Sequence, residues 1–222
     1  MGIGATLRSL PRRIRDSIEQ EGLLQAVWRG ALSPVYRAGI LRARPLDPGS
    51  SGRRALPYAL TVRTASEDDI DAIVALRPQY DRRTLLTRLQ EGQECVVSWD
   101  VCTPTSVYWT CKGRGPLVHL GLVLPLEDRE VFVHDLYRDP ARRHKGEGDV
   151  TRRYLDQRYA REGIDSVVSC ATAGRGPYGR GDPDRVATIR TLRLGPFRRF
   201  WVRTCGPQAE YWRGRLRELR WA

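Results

Sequence analysis

A basic turn near the middle of the chain carries residue types that bind phosphate. Residues 131–137 are rich in β-branched and aromatic residues, which predicts a strand, and Pro140 ends that strand. Three basic residues follow: Arg143, His144 and Lys145. Gly146 and Gly148 then let the backbone approach a ligand where a helix is predicted to begin. Because the first N–H groups of a helix lack partners within it and lie at the positive end of its dipole, this turn predicts an anion-binding site.

The spacing of the turn also resembles a known cofactor-binding loop. Pro140, Arg143, Gly146 and Gly148 form a P-x-x-R-x-x-G-x-G pattern behind a strand, which is similar to the acetyl-CoA loop of the GCN5-related N-acetyltransferases. The resemblance implies that the loop amides bind the pyrophosphate of the cofactor, and that a bulge in the preceding strand opens a cleft for pantetheine. It assigns cofactor binding to Leu136, Tyr137, Arg138, Arg143, His144, Lys145, Gly146, Glu147 and Gly148.

Two carboxylates depart from the family pattern. Glu147 and Asp149 stand where the family usually has apolar or small residues. Carboxylates favour an empty helix N-terminus, but they repel a pyrophosphate. Either these side chains point away from the ligand, or cofactor binding is weakened or lost.

Transfer of an acyl group to an amine needs a group that removes a proton, since an alkyl amine has a pKa near ~10.4. Glu130, His134 and Asp135 lie on the strand before the turn, and alternation sets Asp135 opposite the other two unless a bulge shifts it. Asp135 and Glu130 are both candidates for the base. Each is equally compatible with a surface carboxylate or a partner of an arginine. A backbone N–H near Leu136 would polarise the thioester carbonyl.

The sequence lacks the residue that usually protonates the departing thiolate in this family. The family has a tyrosine late in the helix before its closing strand, and Thr191 stands there in this sequence. Tyr178, in a loop predicted to lie near the cleft, is the candidate replacement. The histidines and cysteines are scattered and form no C-x-x-C pair, so the sequence predicts no metal site.

The composition bounds the class of protein. The 222 residues have a hydrophobic share of 41% and a formal charge of +12. No apolar run approaches the roughly 18 residues of a membrane span, so a cytoplasmic protein is expected. The positive charge is spread along the chain and is almost all arginine, which is as typical of a GC-rich bacterial genome as of nucleic-acid binding. Such a field would still attract an anionic cofactor.

The chain is predicted to have two parts, residues 1–56 and residues 57–222. The first has apolar residues at helical spacing with arginines between them, and ends in a linker rich in Pro, Gly and Ser, so it is predicted to be a basic amphipathic helical extension. It could dock on the main domain, mediate homo-oligomer formation or lie on an anionic membrane surface. The first two are favoured because acidic residues dilute the basic face. The second part is the acyltransferase-like domain.

The order of predicted elements indicates an α/β or α+β layered domain. Strands are predicted at residues 58–64, 94–99, 106–111, 117–124, 131–137, 165–173 and 197–204, with a turn at residues 103–104. Helices are predicted at residues 66–76, 82–90, 149–162 and 185–194, and residues 210–221 form a strand or a helix. The family resemblance implies a mixed, mostly antiparallel central sheet flanked by helices.

Three functions remain open on these residues. The first is an N-acyltransferase that moves an acetyl or other acyl group from acyl-CoA to a small-molecule or peptide amine. The second is a catalytically degenerate domain of the same fold that acts as a binding or scaffold protein. Nucleic-acid binding ranks behind both, because it needs clustered arginines with exposed aromatic residues. The one such group, for which β-strand core is the alternative, is Arg198, Arg199, Trp201, Trp212 and Arg213.

Overall fold

An eight-stranded sheet with helices packed against it forms the body of the protein. The computed structural model describes residues 36–49, 59–142, 146–173, 182–194 and 196–222. Its strands are β1 (Tyr36–Pro45), β2 (Leu60–Thr64), β3 (Glu94–Asp100), β4 (Thr103–Cys111), β5 (Arg114–Leu117), β6 (Leu122–Pro125), β7 (Glu130–Arg138), β8 (Ser166–Thr172), β9 (Arg185–Leu194), β10 (Phe197–Thr204) and β11 (Arg220–Trp221). Its α-helices are α1 (Ile70–Leu76), α2 (Arg82–Gln90), α3 (Glu147–Arg161) and α4 (Ala209–Arg215). Short 3-10 helices are Glu67–Asp69, Pro140–Arg142 and Leu216–Glu218.

The large sheet has the strand order β10-β9-β1-β8-β7-β4-β3-β2, and β11, β6 and β5 form a second sheet of three strands. Neighbouring strands of the large sheet are antiparallel, except that β7 and β8 run parallel. The predicted fold class, a mixed and mostly antiparallel sheet flanked by helices, is therefore confirmed.

Alternating side chains of β3 and β4 pack against different helices. Trp109 of β4 lies in an apolar cluster with Ile73 of α1 and Leu85 of α2. The adjacent residue of the strand, Tyr108, lies in a cluster with Tyr159 of α3. Since successive side chains of a strand point to opposite faces, α1 and α2 cover one face of the sheet and α3 covers the other.

Several predicted elements occur where the sequence places them. The helix predicted at residues 82–90 is α2, and β7 and α3 flank the basic turn as expected. The helix predicted from residue 66 begins with the 3-10 turn Glu67–Asp69 and continues as α1. The final basic segment, predicted as strand or helix, contains α4, a 3-10 turn and the short strand β11.

The prediction of a helix at residues 185–194 is wrong, because this segment is β9. It pairs with β1 on one side and β10 on the other. Val186, Ala187 and Ile189 are buried and Thr191 is 1% exposed. Threonine, valine and isoleucine are stiff at χ1 and favour the strand, and that preference prevails once two partner strands are present.

Two predictions in the middle of the chain are also wrong. Residues 117–124 are not one strand, since β5 and β6 are separated by a turn in which Gly121 has a φ of 64°. The turn predicted at residues 103–104 lies earlier, at Val101, whose φ is 55°, and Thr103 already pairs with Asp100 as the first residue of β4.

Part of the predicted helical extension belongs to the sheet. Residues 36–45 form β1, which lies between β8 and β9. Leu41 is fully buried there. A Cβ added to Gly39 would lie only 2.9 Å from Cys170 Sγ, so the close packing of β1 requires glycine at this position. The helices predicted before Pro34 lie outside the described residues.

Candidate functional site

A β-bulge interrupts β7 next to the predicted anion site. Val107 of β4 is opposite Tyr137, and Trp109 is opposite His134. Two residues of β7, Asp135 and Leu136, therefore lie opposite the single residue Tyr108 of β4. Asp135 has a φ of 47°. An extra residue on one strand with a left-handed backbone is the geometry of a bulge.

The bulge reverses the alternation of side chains along β7. His134 contacts Gln93, which lies between α2 and β3, with 3.1 Å between Nε2 and Oε1. Without a bulge, Arg138 would share the face of His134. Instead, Arg138 donates a hydrogen bond of 3.0 Å to Tyr108, which packs with the α3 side of the sheet. Tyr137 lies on the other side, with its ring 5.2 Å from the Arg77 guanidinium carbon.

β7 and β8 pair for only part of their length. Their parallel register runs from Glu130 opposite Ser166 to Val133 opposite Ser169. Beyond that point β7 continues along β4 to Arg138, and β8 continues along β1 to Thr172. The pairing of the two strands therefore ends just before the bulge, and residues 135–138 of β7 have no β8 partner; we call this edge of β7 the cleft.

The first turn of α3 lies against the Arg138 side chain. Gly146 precedes the helix with a φ of 85°. A Cβ on Gly148 would lie 2.0 Å from Arg138 Nη2, so only glycine lets the guanidinium reach this turn. The Nε of Arg138 is buried without an acceptor among the described residues. A cation beside the positive end of a helix, with a donor left unpaired, is an arrangement that an anion would complete.

A chain of hydroxyl groups fixes the first turn of α3 on the sheet. Thr151 donates to the carbonyl oxygen of Glu147 at 3.0 Å and lies 2.6 Å from the hydroxyl of Ser98. Ser106 donates to that same hydroxyl at 2.9 Å. All three hydroxyl side chains are buried, so their mutual hydrogen bonds are needed to satisfy them. The helix start is held rigidly beside the cleft.

The carboxylate of Glu147 turns into the protein. Glu147 is 1% exposed, and its Oε1 lies 3.8 Å from Arg142. Arg142 also pairs with Asp100 at 2.5 Å. The positive charge of Arg142 offsets the negative charge of the Glu147 carboxylate. The group of Glu147 that is suited to binding an anion is therefore its backbone N–H. Asp149 is exposed to solvent.

Four of the predicted site residues lie outside the described residues: Arg143, His144, Lys145 and Tyr178. Their assignments remain predictions. Of the other predicted cofactor residues, Leu136, Tyr137 and Arg138 end β7, Gly146 precedes α3, and Glu147 and Gly148 begin it. The structure brings these two groups together through the approach of Arg138 to Gly148.

Asp135 is held by two arginines on the α1 and α2 side of the cleft. Its carboxylate accepts hydrogen bonds of 2.6 Å from Arg77 and 2.7 Å from Arg88. The hydroxyl of Tyr80 donates to the Asp135 backbone carbonyl at 3.2 Å. Burial by itself would raise the pKa of Asp135, but the bonds from Arg88 and Arg77 outweigh it and leave the pKa below its ordinary value. Asp135 is thus ionised at neutral pH and accepts a proton poorly.

The pairing of Asp135 predicts a pH-dependent stability. Because its pKa is lowered in the folded state, its contribution is present above about pH 4 and is lost as the pH falls further. We expect Asp135→Asn to lower the free energy of unfolding by about 2 kcal/mol at neutral pH, and the difference to shrink toward about pH 3. Urea titrations across this range measure it.

The matched control for this prediction is Asp71→Asn. Asp71 pairs with Arg82 at 2.9 Å, but its side chain is 79% exposed. An exposed pair contributes about 0–1 kcal/mol, so this variant should stay close to the wild type at every pH. A difference between Asp135→Asn and wild type that grows on acidification would contradict the assigned pKa direction.

His134 is neutral at ordinary pH. Burial, and secondarily the charge of Arg88, lower its pKa to about 4. A group with that pKa is a weak proton acceptor toward an ammonium ion. His134 is therefore not favoured as the base, and its Nε2 contacts Gln93.

Glu130 is not at the cleft. It lies at the start of β7, five residues and about 16 Å along the strand from Asp135. It is 5% exposed and forms a buried ion pair with both Nη atoms of Arg215. The sequence left Glu130 open as a base, a surface carboxylate or the partner of an arginine. The geometry favours the last of these.

Sequence reasoning missed the residues that support the bulge and the helix start: Arg77, Tyr80, Arg88, Tyr108, Arg142 and Thr151. They lie on separate elements, and no short motif joins them. One signal was present, because Ser98 and Ser106 are polar residues inside otherwise apolar strands, and a buried hydroxyl needs a partner.

The described residues contain neither a metal-binding cluster nor a membrane-spanning helix. No group of three or more His, Cys, Asp or Glu side chains in the described part of the chain could hold a metal ion. No helix within the same residues has both the length and the apolar character that crossing a bilayer requires.

Comparisons with known proteins give structural likenesses at low identity. No family model matches the chain, and no curated protein matches it. A functionally unknown conserved protein from Staphylococcus epidermidis ATCC 12228 is 12% identical, with a TM-score of 0.43 over 69% of this chain and 59% of that one. A GCN5-related N-acetyltransferase from Ralstonia eutropha JMP134 is 22% identical, with a TM-score of 0.39 over 56% and 98%. A predicted acetyltransferase with acetyl-CoA from Clostridium acetobutylicum is 16% identical, with a TM-score of 0.40 over 57% and 92%.

One of the similar solved structures is named as a GCN5-related N-acetyltransferase, and others are named as acetyltransferases. All these TM-scores lie below 0.5, so the likenesses do not establish an activity.

Proposed function

We propose that this protein is an acyl-CoA-dependent N-acyltransferase that transfers an acetyl or other acyl group to an amine. The observation that carries the proposal is the parting of β7 and β8 beyond Val133 and Ser169, beside the start of α3. An open groove between parallel strands and a helix N-terminus at its mouth suit an extended thiol cofactor that ends in phosphates.

The residues at the groove fit coenzyme A in two respects. Arg138 and the first backbone N–H groups of α3 supply positive charge for a diphosphate, and Gly148, which has no Cβ, lets the Arg138 guanidinium lie against this turn. Residues 135–138 of β7 have lost β8 as a neighbour, so an extended pantetheine arm can lie along them as an added strand. Arg143, His144 and Lys145 would contribute further charge, as the sequence predicts.

The chemistry follows from holding two reactants together. An acyl-CoA supplies an acyl group already activated as a thioester. We assign Leu136 the role of presenting its backbone N–H to the thioester carbonyl, and the rigid β7 bulge the role of fixing that N–H in place. Asp135 positions Arg77 and Arg88, and the amine proton leaves to water. Tyr178 stays the candidate acid.

Calorimetric titration with acetyl-CoA tests the proposal. We expect saturable binding to the wild-type protein, followed by release of free thiol when a panel of primary amines is added. Absence of binding at millimolar acetyl-CoA would overturn the proposed function, because the groove and the helix start would then have no cofactor to hold.

A degenerate binding module is the second candidate. The segment that the sequence assigned to the tyrosine-bearing helix is strand β9 instead, and Thr191 is buried within it, so the described residues supply no replacement acid there. If acetyl-CoA binds but no amine in the panel releases thiol, this candidate is supported. A truncation that tests the role of the N-terminal segment, as a docking element or a homo-oligomer contact, must end before Tyr36, because β1 is an interior strand of the sheet.

A further inference from the structure

The outer face of β10 carries exposed aromatic and arginine side chains. Phe200 and Val202 pack against the apolar core around the small sheet. The alternate residues point the other way, and among them Phe197 is 48% and Trp201 is 52% exposed. The guanidinium carbon of Arg199 lies 5.5 Å from the Phe197 ring, which confirms that these side chains share a face.

The neighbouring strand extends this face. Trp201 is opposite Arg190 of β9, and Phe197 is opposite Leu194, which is 55% exposed. Opposed residues of an antiparallel pair have their side chains on the same side of the sheet. We call the resulting surface the β9–β10 face. It consists of Arg190, Leu194, Phe197, Arg199, Trp201 and Arg203.

The β9–β10 face has an unbalanced positive charge. β1, β9 and β10 together contain nine arginines and no aspartate or glutamate. Arg190, Arg199 and Arg203 are exposed, and none of them forms an ion pair within the part of the chain that the structure describes. Cations left without counter-charges create a potential that attracts polyanions.

Charge favours an anionic occupant of the face over a second copy or residues 1–35. A second copy would present the same arginines and be repelled by them. Residues 1–35 contain five arginines against three acidic residues, so this segment carries the same sign of charge. An anionic partner is the complementary choice.

The order of side chains favours a nucleic acid over a membrane surface. Along β10 the outward residues alternate aromatic and cationic, from Phe197 to Arg199 to Trp201 to Arg203, about 6.6 Å apart. A membrane-binding surface separates its apolar side from its basic side. A single nucleic-acid strand instead offers bases for stacking and phosphates for arginine in repeated succession.

We propose that the β9–β10 face binds single-stranded nucleic acid, with bases stacked on Trp201 and Phe197 and phosphates paired with Arg190, Arg199 and Arg203. The residues of the β9–β10 face differ from the arginine and aromatic group that the sequence indicated, because some members of that group lie elsewhere. Trp212 is 1% exposed in the core, and Arg198 lies over Trp221 on the inner face.

Fluorescence anisotropy with a labelled thymidine oligonucleotide tests this proposal on the full chain at about 50 mM salt. We expect saturable binding, and the logarithm of the binding constant should fall linearly with the logarithm of the salt concentration. The same sequence as a duplex should bind more weakly. Trp201→Ala should weaken binding by about tenfold through loss of stacking, and R199E/R203E should weaken it further.

The matched control is R213E/R217E, which changes the net charge by the same amount at exposed positions of α4 and the following turn. It should leave most of the affinity, and thermal unfolding should show that each variant remains folded. Equal losses in the two double variants, equal binding of duplex, no binding at low salt, or binding of anionic vesicles with none of the oligonucleotide would each overturn the proposal.

Discussion

Gly148→Asp is expected to weaken acetyl-CoA binding strongly while leaving the protein folded. A Cβ at this position would collide with the Arg138 guanidinium, and the added carboxylate would stand where a diphosphate is proposed to bind. The same carboxylate in the first turn of a helix interacts favourably with the helix dipole, so the melting temperature should change little. We expect calorimetry to show at least about a 100-fold loss of affinity, or about 2.7 kcal/mol.

Gly163→Asp is the matched control for this variant. Gly163 follows the other end of α3 and has a φ of 77°, and a Cβ added to it would meet no atom within 4 Å. The substitution adds the same charge without entering the cleft, so acetyl-CoA binding should persist. Wild-type affinity in Gly148→Asp would show that the start of α3 does not hold the cofactor, and the proposed function would lose its anion site.

Arg215→Ala is expected to cause the largest loss of stability. Arg215 is 9% exposed, bonds to both carboxylate oxygens of Glu130, and donates to the Pro125 carbonyl at 3.0 Å. Its guanidinium carbon also lies 4.7 Å from the Trp212 ring. Alanine would leave the Glu130 charge buried without its partner, so the free energy of unfolding should fall by about 3–5 kcal/mol. Urea unfolding at neutral pH measures this loss.

The nearby exposed pair of Arg129 and Asp165 supplies the control. Their contact is 2.7 Å, but the side chains are 70% and 56% exposed, so Arg129→Ala should cost less than about 1 kcal/mol. Glu130→Gln separates structure from catalysis. We expect it to lose stability and to keep its acyl-transfer rate when assayed below its melting temperature. Loss of turnover at unchanged stability would instead restore Glu130 as the base.

The sequence predicted the elements around the basic turn because each has a local signal. A β-branched run, a proline stop and two glycines identify the strand, its end and the helix start without reference to distant residues. The possibility of a bulge at Asp135 was also readable, but its presence was not. The left-handed backbone of Asp135 is held by Arg77, Arg88 and Tyr80, which lie far away in the sequence.

The sequence misassigned segments whose structure is decided by contacts with residues far away in the chain. Residues 185–194 include apolar positions compatible with a helix, and only pairing with β1 and β10 decides for a strand. The ion pair that argues against Glu130 as the base was hidden for the same kind of reason, because its partner Arg215 lies 85 residues further along the chain. Ion pairs between distant elements leave no periodicity in the sequence.

The interior position of β1 bears on how the chain folds as it is synthesised. β1 leaves the ribosome before the residues that pair with its two sides, because these residues, in β8 and β9, follow roughly 130 to 150 residues later. Until then its backbone groups and the Leu41 side chain stay open to incorrect pairing. Nascent chains that stop before β9 should therefore depend on chaperones more strongly than the released protein does.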